Sequence, residues 1–192
     1  MATRIEERFA VKAPIDRVWS YLVDPRQVVR CLPGAALTRV VDERTFLGTV
    51  KVAVGPVTVM YQGRVVLDEV DAAARRARMV GEGREGAGSG SARMTVESRL
   101  APLSGGATEV TVLADVEVVG RLVQLGRGMI DQVSHQLFAQ FAGCVRATLE
   151  AAPNEAPAEE AGRPVRAVPL LFRALWASLV ALLRRLFGRS RR

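Results

Sequence analysis

The sequence predicts an α+β fold in which an antiparallel sheet is covered on one face by a long C-terminal helix. Three observations carry this reading. From Ala36 to Val119 the side chains alternate apolar and polar almost throughout, the period of strands with one wet face. No helical pattern interrupts them, so the strands follow one another as an antiparallel meander. From Arg121 to Leu149 the period becomes helical, with one broad apolar stripe.

The elements follow in order. "RIEERFAVKAP" places Ile5, Glu7, Phe9 and Val11 on one face of a first strand. "APIDRVWSYLVDPRQVVRCLPG" then offers a proline at a helix start, Val18, Trp19 and Leu22 at helical spacing, and a break at Asp24-Pro25. A second short helix ends before Pro33-Gly34. Thr45 to Val54 and Val57 to Asp68 flank Gly55-Pro56 as a hairpin, and further strands fall at Arg75 to Gly83, Ser91 to Leu100 and Thr108 to Val119. Parity gathers Phe46, Val50, Val52, Val59, Tyr61, Val65, Met79, Met94, Val96, Leu100, Val110, Val112, Val116 and Val118 on one apolar face. Lys51, Arg64, Arg78, Arg93, Glu97, Arg99, Glu109, Asp115 and Glu117 fall on the other.

The apolar face needs a cover, and the last helical segment supplies it. On a continuous helix from Arg121 to Leu149, Leu122, Leu125, Met129, Ile130, Val133, Leu137, Phe141 and Cys144 form the stripe, while Arg127, Asp131, His135 and Arg146 lie opposite. Gly126, near the middle of the stripe, lets the helix approach its neighbour or leaves space for a guest. Such a helix is roughly 40 Å long at about 1.5 Å per residue, enough to cross a curved sheet.

Composition divides the chain into three blocks. Residues 1 to 150 form one continuously patterned domain, large enough to bury a core without a disulfide or metal staple. Cys31 and Cys144 have no spacing of a metal or redox pair and read as separate buried thiols in a reducing compartment. Residues 151 to 166 are an extended Pro/Ala/Glu linker. Residues 167 to 192 are basic and apolar. The net charge of +7 belongs mainly to this end: residues 163–192 carry eight arginines and no acid, and residues 150–162 carry four glutamates and no base. The remaining 19 basic and 16 acidic residues leave Met1 to Leu149 at only +3. A basic, apolar tail suits an anionic membrane surface better than nucleic acid, for which the chain lacks a basic folded face and interleaved stacking aromatics. The N-terminus mixes both charge signs without an apolar core, so it is not a secretory signal and the domain is expected on the cytoplasmic side.

The order of strand, two short helices, about six strands and one long helix resembles the START-like helix-grip fold, a curved antiparallel sheet wrapped around its C-terminal helix. Here a separate amphipathic tail helix is added. "FAVKAPIDRVWSYLVDP", "CLPGA", "GTVKVAVGPVTVMYQGRV" and "VVGRLVQLGRGMIDQV" together resemble the CoxG family of carbon monoxide dehydrogenase subunits over about the first 150 residues. That resemblance implies a cavity between helix and sheet. It further implies a non-enzymatic accessory protein that attaches an aerobic molybdenum-containing carbon monoxide dehydrogenase, or a related molybdenum hydroxylase, to the cytoplasmic membrane and links it to the quinone pool.

The candidate ligand-binding residues are Phe46, Tyr61, Met79, Met94, Val112, Met129, Val133, Leu137, Gln140 and Phe141. Methionines and aromatics suit an apolar ring or isoprenoid chain, with menaquinone or ubiquinone as the carried ligand the resemblance implies. Tyr61 and Gln140 are expected to face inward and to hydrogen-bond a quinone carbonyl. Catalysis finds little support. His135 projects away from the cavity, parity puts Glu97, Asp115 and Glu117 on the wet face, and no metal-ligand cluster is visible. "GEGREGAGSG" lacks the spacing and context of a phosphate loop and reads as a flexible hairpin at the cavity mouth. "CLPGA" reads as a helix end and turn. The rival functions are a polyketide cyclase or aromatase of similar fold and a generic lipid carrier.

In the tail, the stretch from Ala174 to Leu183 carries no charge but is only ten residues long, against about 20 for a membrane span. An interfacial helix is the preferred reading, with Arg173, Arg184 and Arg185 at headgroup level, Trp176 at the boundary, and Leu175, Leu179, Leu183 and Phe187 buried in the acyl region. A snorkelled span and a helix docked in a protein groove are the alternatives.

Overall fold

Alternation across residues 2–11 produces the first strand of the computed structural model, β1 (Ala2–Val11), whose odd-numbered side chains turn inward. The structure describes residues 1–55, 57–86 and 88–151. After β1, Pro14 precedes α1 (Ile15–Leu22), which buries Val18, Trp19 and Tyr21. Asp24 caps α2 (Pro25–Val28) by accepting a hydrogen bond from the Arg26 backbone N–H at 3.0 Å. A 3₁₀ turn at Val29–Cys31 leads into the "CLPGA" corner. Gly34 there has φ +75°. A Cβ at this glycine would lie 2.3 Å from the Lys51 carbonyl oxygen, so the corner admits no side chain.

Six strands follow: β2 (Ala35–Val40), β3 (Thr45–Val54), β4 (Val57–Asp71), β5 (Arg76–Glu85), β6 (Ser91–Pro102) and β7 (Thr108–Val119). All pairs are antiparallel, and the sheet order is β1-β7-β6-β5-β4-β3-β2. The meander is therefore as expected, and β1 joins it by pairing with the last strand. Its outer face carries ion pairs between neighbouring strands, such as Arg78 with Asp68 at 3.2 Å. Each exposed pair of this kind contributes about 0–1 kcal/mol.

One continuous helix from Arg121 is not what forms. Arg121–Leu125 is a 3₁₀ turn, flanked by Gly120 at φ +111° and Gly126 at φ +82°, and the helix α3 is Arg127–Glu150. The positive-φ glycine breaks the helical path. Met129 stands 43% exposed near the start of α3, while Ala142, Val145 and Leu149 toward its end are the buried residues.

Two separate cores hold the layers together. The first joins β1, α1 and the C-terminal half of α3 through Phe9, Val11, Val18, Trp19, Val110, Val145 and Leu149. Phe9 packs edge-on to Phe138 and Phe141, with ring centroids 5.7 and 6.2 Å apart. The second core, at the other end, contains Val54, Val59, Tyr61, Val118 and Leu122.

Cys31 and Cys144 are bonded as a disulfide, with their Cα atoms 5.4 Å apart. This corrects the reading of two free thiols. A separation of 113 residues gives no local spacing signal, and the pairing arises only when α3 crosses the 3₁₀ turn at Val29–Cys31.

Candidate functional site

The space between the two cores is the candidate site. Strand register turns Val65, Met79, Met94, Val96 and Val116 inward, as parity predicts. All five nevertheless remain half-buried, and inward-facing Val50 is 40% exposed. The cause lies in where the helix sits. α3 packs mainly against β1, at one edge of the sheet, and leaves the inner faces of β3, β4 and β5 without a tight cover. Apolar side chains turned inward without becoming buried line a hollow, because close-packed interiors leave no such exposure.

Small residues shape its floor. Gly48 on β3 pairs with Gly63 on β4, Gly63 with Gly83 on β5, and Gly83 with Ala92 on β6. A Cβ at Gly63 would lie 2.0 Å from the Glu82 carbonyl oxygen, and one at Gly48 would lie 2.7 Å from that of Ala36. The sheet coils so tightly at these two points that only glycine fits.

An ion pair with one buried member closes one end. Glu85, opposite Tyr61 across β4 and β5, turns inward with its side chain only 4% exposed. Arg121, from the turn before α3, donates through Nε to Glu85 Oε1 at 3.1 Å and also through Nη2. Glycines wrap the carboxylate: the Glu85 N–H donates to the Gly90 carbonyl at 2.8 Å, and a Cβ at Gly90 would approach Glu85 Oε2 to 2.5 Å. A Cβ at Gly120 would come within 2.7 Å of Gly90 Cα. The glycines of "GEGREGAGSG" thus serve in part to enclose a charged side chain. Sequence reasoning ended β5 at Gly83 and missed both members of the pair. Carrying the parity of Met79, Gly81 and Gly83 two residues further would have found Glu85.

Glu85 is an inward carboxylate that the sequence reading did not place, whereas Glu7 faces inward with Phe9 and Val11 as the alternation of β1 predicts. Glu7 Oε1 meets His135 Nδ1 at the seam between α3 and β1, and the His135 side chain stays 63% exposed, on the outside as expected. Tyr61 is buried beside Glu85. Burial, reinforced by the Glu85 charge and opposed by Arg121, raises its hydroxyl pKa above the ordinary tyrosine value. The hydroxyl stays protonated and available as a donor.

Of the other candidates, Phe46 is buried, and Met79, Met94, Val112, Val133, Leu137 and Phe141 are half-buried. Val133 packs against the Tyr61 core, whereas Val112 and Phe141 pack against the Phe9 core. Gln140, expected to face inward, is exposed on α3, as is Met129. The linker and the tail candidates Arg173, Leu175, Trp176, Leu179, Leu183, Arg184, Arg185 and Phe187 lie outside the described residues. Among the described residues no helix is long and apolar enough to cross a membrane.

A curved antiparallel sheet gripping a long helix over an incompletely filled apolar interior defines a START-like helix-grip protein. Solved structures agree on that fold. A conserved protein from Geobacillus kaustophilus aligns with 19% identity over 77% of this chain and 95% of its own, with a TM-score of 0.69. An aromatase/cyclase from Streptomyces aligns with 17% identity over 78% and 94%, with a TM-score of 0.58. Norcoclaurine synthase from Thalictrum flavum aligns with 15% identity over 79% and 88%, with a TM-score of 0.54. At such identities these likenesses concern the fold alone. Comparison with curated proteins finds no significant match. The family model for CoxG, a carbon monoxide dehydrogenase subunit, matches residues 8–150, and the chain belongs to that family.

Proposed function

We propose that this protein is a non-enzymatic accessory protein that carries a quinone in its hollow and brings a molybdenum-containing carbon monoxide dehydrogenase, or a related molybdenum hydroxylase, to the membrane. Family membership supports the accessory role. The observation that carries the ligand reading is the half-exposed inner face of β3 to β6, with the Tyr61 hydroxyl at one end. An apolar trough with one donor suits a molecule that is mostly hydrocarbon and bears a carbonyl. The basic, apolar C-terminal segment supports attachment to an anionic membrane.

The test is native mass spectrometry with organic extraction of the full chain, purified from a quinone-producing cell. Co-purifying menaquinone or ubiquinone at up to one per chain is expected. No extracted isoprenoid, together with no binding of added quinone, would rule out the carrier role.

Glu85 beside Tyr61 gives a cyclase-type enzyme one specific point in its favour. Against it, Arg121 already engages that carboxylate, so proton transfer by Glu85 would require breaking the pair. Turnover of a polyketide that is lost in Glu85→Gln would favour the enzyme.

A further inference from the structure

Among the four small residues on the floor of the hollow, Gly83 differs from the other glycines. Gly48 and Gly63 are forced by backbone atoms, as described above. At Gly83 the backbone φ is ordinary for any residue, and a Cβ would meet nothing nearer than Tyr61 Cβ at 3.4 Å and the Gln62 carbonyl oxygen at 3.6 Å. The fold would accept a side chain there. A glycine inside a central strand weakens it, and it marks a place where a ligand or another backbone comes close. No other backbone occupies the space over Gly83. Gly81, two residues earlier, is different again, because the Met94 side chain folds over it to within 2.8 Å of a built Cβ. Bare backbone is thus bounded by Met94 on one side and by Tyr61 on the other.

Tyr61 supplies the second, independent observation. It is 8% exposed, its ring flanks Gly83, with Cδ1 3.9 Å from the built Cβ, and its hydroxyl has no hydrogen-bond partner among the described residues. The hydroxyl can donate to an acceptor that enters the hollow.

We propose that the row Gly48–Gly63–Gly83, bounded by Ala92, seats a flat, oxygen-bearing apolar ring against bare backbone, its oxygen toward Tyr61, and that Gly83 is the specificity-determining position of this seat. The inference rests on the ligand-carrier reading above and adds the part of the ligand that is recognised. A planar ring can lie on a surface without Cβ atoms, whereas a flexible chain has no need of one. A branched side chain at position 83 would lift the ring from the floor and leave chain binding elsewhere in the hollow unchanged.

Isothermal titration of the full chain with two probes tests this: menadione, a naphthoquinone ring without a tail, and geranylgeraniol, an isoprenoid chain without a ring. The wild type is expected to bind menadione. Gly83→Val should weaken that binding at least tenfold while changing geranylgeraniol binding less than twofold, and Gly83→Ala should fall between. Should the valine variant fail to fold, the alanine variant decides, since its Cβ makes only ordinary contacts. A folded Gly83 variant that binds menadione like the wild type overturns the proposal. A wild type that binds only geranylgeraniol also overturns it while leaving the carrier reading in place. Binding of neither probe removes both.

Discussion

Arg121 reaches from the turn before α3 to Glu85 at the end of β5, donating through Nε at 3.1 Å to a carboxylate whose side chain is 4% exposed. The partners differ sharply in environment, because the Arg121 side chain is 56% exposed. This contact ties the start of the helical cover to the closed end of the hollow.

That asymmetry sets the order of two mutations. Arg121→Ala leaves a buried carboxylate without its cation, a loss that stays below the roughly 3–5 kcal/mol of a fully buried pair because water reaches the arginine side. Glu85→Ala leaves an arginine that water can solvate, so the loss should be smaller. Urea denaturation of both variants measures the order. Equal or reversed losses would mean that water reaches Glu85 despite its enclosure.

The Cys31–Cys144 bond closes a long loop across the whole sheet. Chain-entropy arguments give about 4–5 kcal/mol for a loop of this size. The double substitution Cys31→Ser, Cys144→Ser should therefore unfold at distinctly lower denaturant. Dithiothreitol should lower the wild type toward the same midpoint and leave the variant unmoved. An intact mass equal to that of two free thiols in the unreduced protein would remove the cross-link altogether.

The chain has only two tyrosines, and both should titrate late. Burial raises the Tyr21 hydroxyl, opposed by Thr148 and Arg30, while burial and Glu85 raise Tyr61. Tyrosinate absorbance near 295 nm should therefore remain low at pH 10, where free tyrosine is about half ionised. Above that pH the unfolded chain releases protons that the folded chain retains. Folding stability should be fully present below about pH 10 and decline as pH rises toward the folded values. Half-ionisation of either tyrosine at pH 10 would show that its hydroxyl is well solvated.

Most of the fold was legible because period two survives in nearly every strand: Phe46, Tyr61, Met79, Met94 and Val116 all turn inward as parity places them. What failed to show depends on departures from periodicity or on distant pairing. Gly126 at φ +82° separates a 3₁₀ turn from α3, which a continuous projection from Arg121 does not show, and Met129 stands exposed near the start of the helix while Val145 and Leu149 are buried toward its end. Glu85 sits among glycines whose density suggested a loop, although they pack around its carboxylate. The disulfide required the tertiary fold. The hollow itself needed structure as well, since parity assigns the inward side but says nothing of how closely the opposite layer approaches.

Tyr61→Phe separates the donor from the wall it belongs to. The ring and its packing against Val59 and Leu122 are kept, so unfolding should shift little. A carbonyl ligand would lose one hydrogen bond of about 0.5–1.5 kcal/mol, roughly a two- to tenfold weakening. Titration with menadione and geranylgeraniol should show that loss for the first probe only. Equal weakening of both would assign Tyr61 a purely steric role.

The proposed membrane attachment can be tested apart from the fold, because among the described residues every element from β1 to α3 and both cores lie within residues 1–151. A chain ending at Ala151 should unfold cooperatively with a midpoint close to that of the full chain. The removed segment carries all eight arginines of residues 163–192 along with Trp176 and Phe187. Each arginine near an anionic surface contributes roughly 1 kcal/mol, and this share is screened by salt. Full-length protein should therefore sediment with vesicles containing phosphatidylserine and less so with neutral ones, while the shortened chain stays in solution with both. Alkaline carbonate should release the full chain from membranes if the segment lies at the interface. Retention through that wash would point to a span, and equal sedimentation of the two chains would place the membrane contact on the helix-grip domain itself.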